Sequence, residues 1–176
     1  MKVDRCHGQV ECQVAARRLW RAAFQDAQDC LPKAVPNALL RIDYDGPPFQ
    51  PGSFRILNYH INYAIRISKE NNLKHLVQYT KEKILEVDND SLKVKTEVVE
   101  GGYLDIMVKS YSYSIHIIEG ALPDTSVVHW SFEYKPISPK HHLMMSARLN
   151  EVIPLSIKGV ETYLLSNDDY KDEGPV

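Results

Sequence analysis

Two tyrosines and a lysine spaced two apart are the first residues in this 176-residue chain whose arrangement could do chemistry. In the run 106–118, Met107, Lys109, Tyr111, Tyr113 and Ile115 share one parity, and Ser110, Ser112, Ser114 and His116 share the other. Alternate residues of a strand face opposite sides of a sheet. The bulky set is therefore expected to face an interior and the small polar set to face water. Two phenols and an ammonium need hydrogen-bond partners once removed from water. Such a face suits the wall of a ligand cavity better than a dry core, the plainer reading being polar tips that reach the sheet rim.

The surrounding pattern says what would position them. Gly101-Gly102 separates this run from the alternating run 92–99, which is the signature of an antiparallel hairpin. Upstream, 9–14 reads as a strand, 15–27 and 27–35 as two short helices ended by Pro36, and 39–44 as a second strand. The loop 45–52 holds Pro47, Pro48 and Pro51 and is stiffer than a phosphate-cradling glycine loop. Residues 53–68 and 73–87 then read as one long hairpin reversing at 69–72, with Leu57, Tyr59, Ile61, Tyr63, Ile65 and Ile67 on one face. Its tip, 60–75, would project beyond the barrel, so Tyr63, Ile65 and Ile67 are expected to pack on the long helix or on a second subunit, making a homodimer. A strand at 126–134 places Val128, Trp130, Phe132 and Tyr134 inward. Ser138 as N-cap and Pro139 open a long helix to 165, with a kink expected at Pro154. The order predicts an α+β fold: two short helices after the first strand, a curved seven-stranded antiparallel sheet, and a long C-terminal helix. The 176 residues read as one domain with a core at about 9–167 and a polar tail at 168–176. One helix cannot fill such a sheet, so a central hollow is expected.

Composition excludes several classes. Lysine and arginine number 21 against 23 acids, a formal charge of -2, with the basic residues scattered, so no nucleic-acid partner is expected. No apolar run approaches the ~18 residues of a membrane span, and the first residues lack a secretory signal, which points to no membrane partner and to the cytoplasm. Cys6, Cys12 and Cys30 have neither metal-ligand spacing nor an even count and read as reduced thiols, with no metal and no cofactor implied.

Specific residues then add a resemblance. Arg18-Leu19-Trp20-Arg21-Ala22 with Leu31-Pro32-Lys33-Ala34-Val35-Pro36, and Tyr163-Leu164-Leu165 near the end, resemble the first two helices and the last helix of the plant class-ten pathogenesis-related family, typified by the major birch-pollen allergen. Glu100-Gly101-Gly102-Tyr103-Leu104-Asp105 and Ser114-Ile115-His116 are most similar to its norcoclaurine-synthase branch, which condenses an aromatic amine with an aldehyde. The resemblance implies the helix-grip fold and a cavity for small aromatic or apolar metabolites. It places the branch's acidic residue on Glu82, its tyrosine on Thr80, its lysine on Val94 and its aspartate on Tyr113, so only the acid is kept. The family's glycine-rich loop is altered here to 45–52.

On that resemblance Glu82 turns inward, where it would act as a general acid/base or else pair with Arg55 or Lys83 as a structural group. Lys109 would stand in for the lost lysine, and Tyr111 and Tyr113 would orient the substrate. Leu57, Tyr59, Thr80, Val94, Trp130 and Phe132 from the sheet, with Met144 and Ile153 from the helix, are expected to line the cavity. The implied function is a plant specialised-metabolism protein that catalyses or assists acid/base condensation or cyclisation of an aromatic metabolite. The alternative is a non-catalytic carrier or receptor for a hydrophobic metabolite or hormone, as in a defence protein.

Overall fold

The structure, a computed structural model, describes residues 2–171, so residues 172–176 of the expected polar tail lie outside the described residues. Seven strands form one antiparallel sheet: β1 (Asp4–Cys12), β2 (Leu39–Asp45), β3 (Phe54–Tyr59), β4 (Tyr79–Asp88), β5 (Lys93–Gly101), β6 (Val108–Glu119) and β7 (Ser126–Pro136). Their order across the sheet is β1-β7-β6-β5-β4-β3-β2. Four helices complete the chain: α1 (Ala16–Trp20), which runs on through a π-helical turn at Arg21–Gln25, α2 (Ala27–Ala34), α3 (Ile61–Glu70) and α4 (Pro139–Ser166). As expected, Ser138 caps α4, its hydroxyl accepting from the His141 amide, and Pro139 opens the first turn. Pro154 lies inside a helix assigned without interruption to Ser166. No helix among the described residues is long and apolar enough to cross a membrane.

The first strand begins at Asp4, five residues earlier than its apolar alternation suggested, and pairs with β7 from Asp4↔Tyr134 to Cys12↔Ser126. Its inward parity is Cys6, Gly8, Val10 and Cys12, whose early members are too small to show as a hydrophobic pattern. Gly8 is there because the Trp130 ring lies across it, where any Cβ would collide.

The interior is apolar at one end. Trp20 stacks on Phe24 with centroids 4.9 Å apart and meets Phe49 edge-on at 5.5 Å. The Trp20 indole N–H donates to Asn89 Oδ1 at 2.9 Å, which satisfies its one polar atom. Phe49 adopts φ +53 and is buried, so the proline-rich loop turns inward and closes this end as an aromatic plug.

Two expectations are corrected. The projecting hairpin at 60–75 does not form: residues 61–70 are α3. Tyr63, Ile65 and Ile67 satisfy period two, but Tyr63, Ala64, Ile67 and Ser68 also satisfy i, i+1, i+4, i+5, and the helical stripe is the one that is buried. Ile65 falls on the outer side at 36% exposure. With no ribbon, the proposed homodimer through it loses its structural basis. The second correction is at the start of β6, where pairing with β7 shifts register between Val108 and Ser110. Met107 and Val108 are both fully buried as a result, and Lys109 turns out to solvent, where it pairs with Asp105 at 2.9 Å. Beyond the irregularity, Tyr111, Tyr113 and Ile115 face inward as expected.

The three cysteines are free and buried, and burial pushes each thiol up to about 11, with the Glu161 carboxylate adding to the effect at Cys12. A rise of two units lowers the thiolate fraction about 100-fold. A disulfide reagent at pH 8 should therefore label the native protein at least about 100-fold more slowly than the urea-unfolded chain. One fast-reacting thiol in the native state would contradict this packing.

Candidate functional site

Between the inner face of the sheet, α2, α3 and α4 lies a cavity of about 220 Å³. Its deepest polar feature is a three-residue cluster on neighbouring strands. Arg55 and Glu82 are directly opposite each other on β3 and β4. Arg55 Nη2 and Nε donate to Glu82 Oε2 at 2.8 and 3.1 Å. Tyr113 on β6 donates its hydroxyl proton to Glu82 Oε1 at 2.8 Å and accepts from Arg55 Nη2 at 2.9 Å. Arg55 and Glu82 are 4% and 3% exposed, so this is a buried ion pair, in which each lost hydration contact must be replaced by a protein partner. Burial alone would lower the Arg55 pKa, but Glu82 outweighs it and the guanidinium stays charged. Burial, reinforced by the Glu82 charge, pushes the Tyr113 phenol well up, so it is a neutral donor at ordinary pH.

The middle of the cavity carries lone hydroxyls in an apolar wall. Tyr59 and Thr80 are hydrogen-bonded to each other at 2.9 Å. Tyr111 accepts the Tyr103 amide proton at 3.2 Å. Gly102 sits against it at φ +57, where any Cβ would fall on the Tyr111 hydroxyl. Leu57, Phe132 and Ile153 supply apolar wall.

The third polar feature lies where α3, α4 and the β5–β6 turn meet. Arg148 of α4 is 6% exposed. It donates from Nη2 to the Tyr63 hydroxyl of α3 at 3.1 Å and from Nε to the Tyr103 hydroxyl at 3.2 Å. Its Nη1 reaches Glu151 Oε2 at 3.3 Å.

Of the residues expected at the site, Glu82, Tyr111, Tyr113, Leu57, Tyr59, Thr80, Phe132 and Ile153 do line the cavity. Four do not. Lys109 is outside the sheet for the reason given above. Val94 is buried but is not among the residues that line the cavity. Trp130 is turned over Gly8, with its indole N–H donating to Asn150 Oδ1 at 3.4 Å. Met144 is half-buried beside the inward stripe of α4, which runs through Met145, Arg148, Leu149 and Val152. The residues missed from the site were Tyr63, Tyr103 and Arg148, while Arg55 was read only as a structural partner of Glu82, a pairing that does form. Arg55 shares parity with Leu57 and Tyr59, and Arg148 falls among apolar residues at helical spacing, so an arginine within an apolar stripe was the available signal.

A curved antiparallel sheet wrapped on one long helix, with a mostly apolar hollow between them, defines a helix-grip ligand-cavity protein. The chain belongs to the pathogenesis-related protein Bet v 1 family, which it matches over residues 1–167. It is 26% identical over 164 residues to the major pollen allergen Aln g 1 of Alnus glutinosa, covering 89% of this chain and 90% of that one. It is 27% identical over 171 residues to Pathogenesis-related protein 1 of Asparagus officinalis, covering 90% and 92%. Among solved structures, norcoclaurine synthase from Thalictrum flavum, in complex with dopamine and hydroxybenzaldehyde, superposes with a TM-score of 0.67 at 22% identity, covering 94% of this chain and 88% of that one. Major latex-like protein 151 from Panax ginseng gives 0.64 at 20%, covering 92% and 97%.

Removing one partner of a buried ion pair leaves an uncompensated charge and costs about 3–5 kcal/mol. Arg55→Met is expected to destabilise the protein by that amount in urea unfolding, and Arg55→Met with Glu82→Leu together to recover most of it. A double variant as unstable as the single one would show that the pair is not the cause. Gly102→Ala should cost about 1–3 kcal/mol through φ strain and displacement of Tyr111, measured in the same way. A loss within about 0.5 kcal/mol would show that the turn tolerates a side chain.

Proposed function

We propose that this protein binds one small, largely aromatic metabolite in the internal cavity and holds it as a carrier or receptor. The observation that carries this reading is the commitment of Glu82. Both of its oxygens are already engaged by Arg55 and Tyr113, and the lysine expected to assist it lies outside the sheet. A general base needs a lone pair within reach of the substrate proton, and three of the about four lone-pair sites of this carboxylate are taken by the protein's own groups. The apolar wall with a few placed hydroxyls is what binding of a flat ring with one or two polar substituents requires. Membership of the Bet v 1 family supports a role in plant defence or specialised metabolism.

A second reading keeps catalysis. Glu82, the acid retained from the resembling branch, lines the cavity with the Tyr113 hydroxyl at 2.8 Å, so the two form a proton path a substrate could meet. The structural neighbour solved with dopamine and hydroxybenzaldehyde favours condensation of an aromatic amine with an aldehyde as the reaction to try.

Titration with N-phenyl-1-naphthylamine, a neutral fluorophore, tests the binding site. Ile153→Trp, which fills the hollow, should weaken binding by about tenfold or more, whereas Leu155→Trp, at a position 62% exposed on the same helix, should not. Equal effects would place the probe elsewhere. Mass analysis of a ligand recovered after incubation separates the two readings, since a carrier returns it unchanged. If dopamine and hydroxybenzaldehyde are converted, and Glu82→Gln lowers the rate by ~10²–10⁴ while still binding the probe, the catalytic reading replaces the first.

A further inference from the structure

The cavity holds three charged side chains, and two of them neutralise each other. Arg55 and Glu82 form a closed pair, leaving Arg148 as the remaining charged group among the described residues that line it. Its one carboxylate partner is Glu151, at 3.3 Å, whose own side chain is 58% exposed. A counter-charge that sits in water is screened and compensates a buried cation weakly. A guanidinium has five N–H donors, and the bonds to Tyr103, Tyr63 and Glu151 use three. Tyr63 and Tyr103 each accept from Arg148 through the hydroxyl oxygen, so each keeps its own O–H proton to donate. Burial raises the Tyr103 pKa, with Arg148 opposing, so this phenol stays protonated and remains a donor at neutral pH. All three side chains line the same cavity. Three elements, α3, α4 and the β5–β6 turn, thus converge hydrogen-bond donors and one positive charge on a single spot at the edge of an apolar hollow. Among the described residues the one acidic group that lines the wall, Glu82, is already paired.

Resting on the binding reading above, we propose that the ligand is an amphiphilic anion: an aromatic or otherwise apolar body bearing one carboxylate, which docks on Arg148 between the Tyr63 and Tyr103 hydroxyls. The anion completes the coordination that the exposed Glu151 leaves unfinished, and the apolar body fills the space between Leu57, Phe132 and Ile153. Tyr63 belongs to α3, so binding of the carboxylate also ties that helix to α4 and closes the hollow over the ligand.

The test needs two molecules of one shape that differ in charge. Naphthalene-1-acetate and its neutral amide are compared as displacers of bound N-phenyl-1-naphthylamine. The wild-type protein should release the fluorophore at a carboxylate concentration about 10–100-fold lower than the amide concentration, the worth of a charge-assisted hydrogen bond. Arg148→Met should remove that difference between carboxylate and amide, and Arg148→Lys should retain part of it. A carboxylate no better than its amide in the wild-type protein overturns the proposal, and that comparison stands without any variant. Weakening of the neutral fluorophore and the carboxylate by the same factor in Arg148→Met would make Arg148 a structural latch and overturn it as well. Should the wild-type protein not take up the neutral fluorophore at all, the cavity reading itself fails, which is a different result from a cavity indifferent to charge.

Discussion

The ion pair between Arg55 and Glu82 is the constraint on which the interior depends. Two opposite charges on directly opposed positions of adjacent strands, both almost wholly buried, fix the register of β3 against β4. A slip of one residue would send one member to the outer face and leave the other alone in the interior. Tyr113 ties β6 into the same cluster across the intervening β5, so one network spans four strands of the sheet. A buried pair of this kind gives little net stability, since the desolvation of both ions offsets their attraction. Its structural effect is to make the alternatives worse, which is how polar interiors specify one arrangement.

The cavity follows from architecture, and its two ends are closed by different chemistry. A single long helix laid against seven strands leaves unfilled volume, and the chain seals one end with an apolar plug. Trp20, Phe24 and Phe49 come from three sequence regions, α1, the π-helical turn and the 45–52 loop, and meet with the indole anchored to Asn89. The other end is closed by α3, whose buried stripe contributes Tyr63 and Ile67 to the cavity wall and whose link to α4 runs through the Tyr63–Arg148 hydrogen bond. Apolar contacts at the plug exclude water without regard to charge. A polar closure at α3 can respond to what is bound beneath it, because the same guanidinium serves the helix and the hollow.

Most of the fold was legible in the sequence because the sheet alternates cleanly in β5, β7 and most of β6, and because Ser138-Pro139 marks the start of α4. The failures have local causes. In β1 the inward positions Cys6 and Gly8 are small, so parity existed without a hydrophobic signal. In α3 the triplet Tyr63, Ile65 and Ile67 fits both period two and, through Tyr63 and Ile67, a helical stripe, and only burial decides. At Val108–Ser110 a register shift reversed one residue, Lys109, and parity counting cannot detect an irregularity it assumes away. The hydroxyls of the site were read correctly from Tyr111 and Tyr113, since their parity holds beyond that point. Arg55 was legible as a partner of Glu82, but Arg148 was not read, because it sits in an apolar pattern where a charge is easily taken as noise in the period.

Those two arginines also set the charge that the cavity wall presents. Where a carboxylate faces a hollow next to a lysine, the proton inventory of the pair is open to a substrate. Here the carboxylate faces an arginine, which stays charged at ordinary pH, and a phenol that burial and the Glu82 charge together keep protonated. Glu82 is thereby hydrogen-bonded to Tyr113 and paired with Arg55 across β3 and β4. The remaining positive charge facing the hollow lies on a different element, α4, at Arg148. Exchanging charge between side chains that project inward from one backbone alters the ligand a cavity prefers without altering the sheet that makes it.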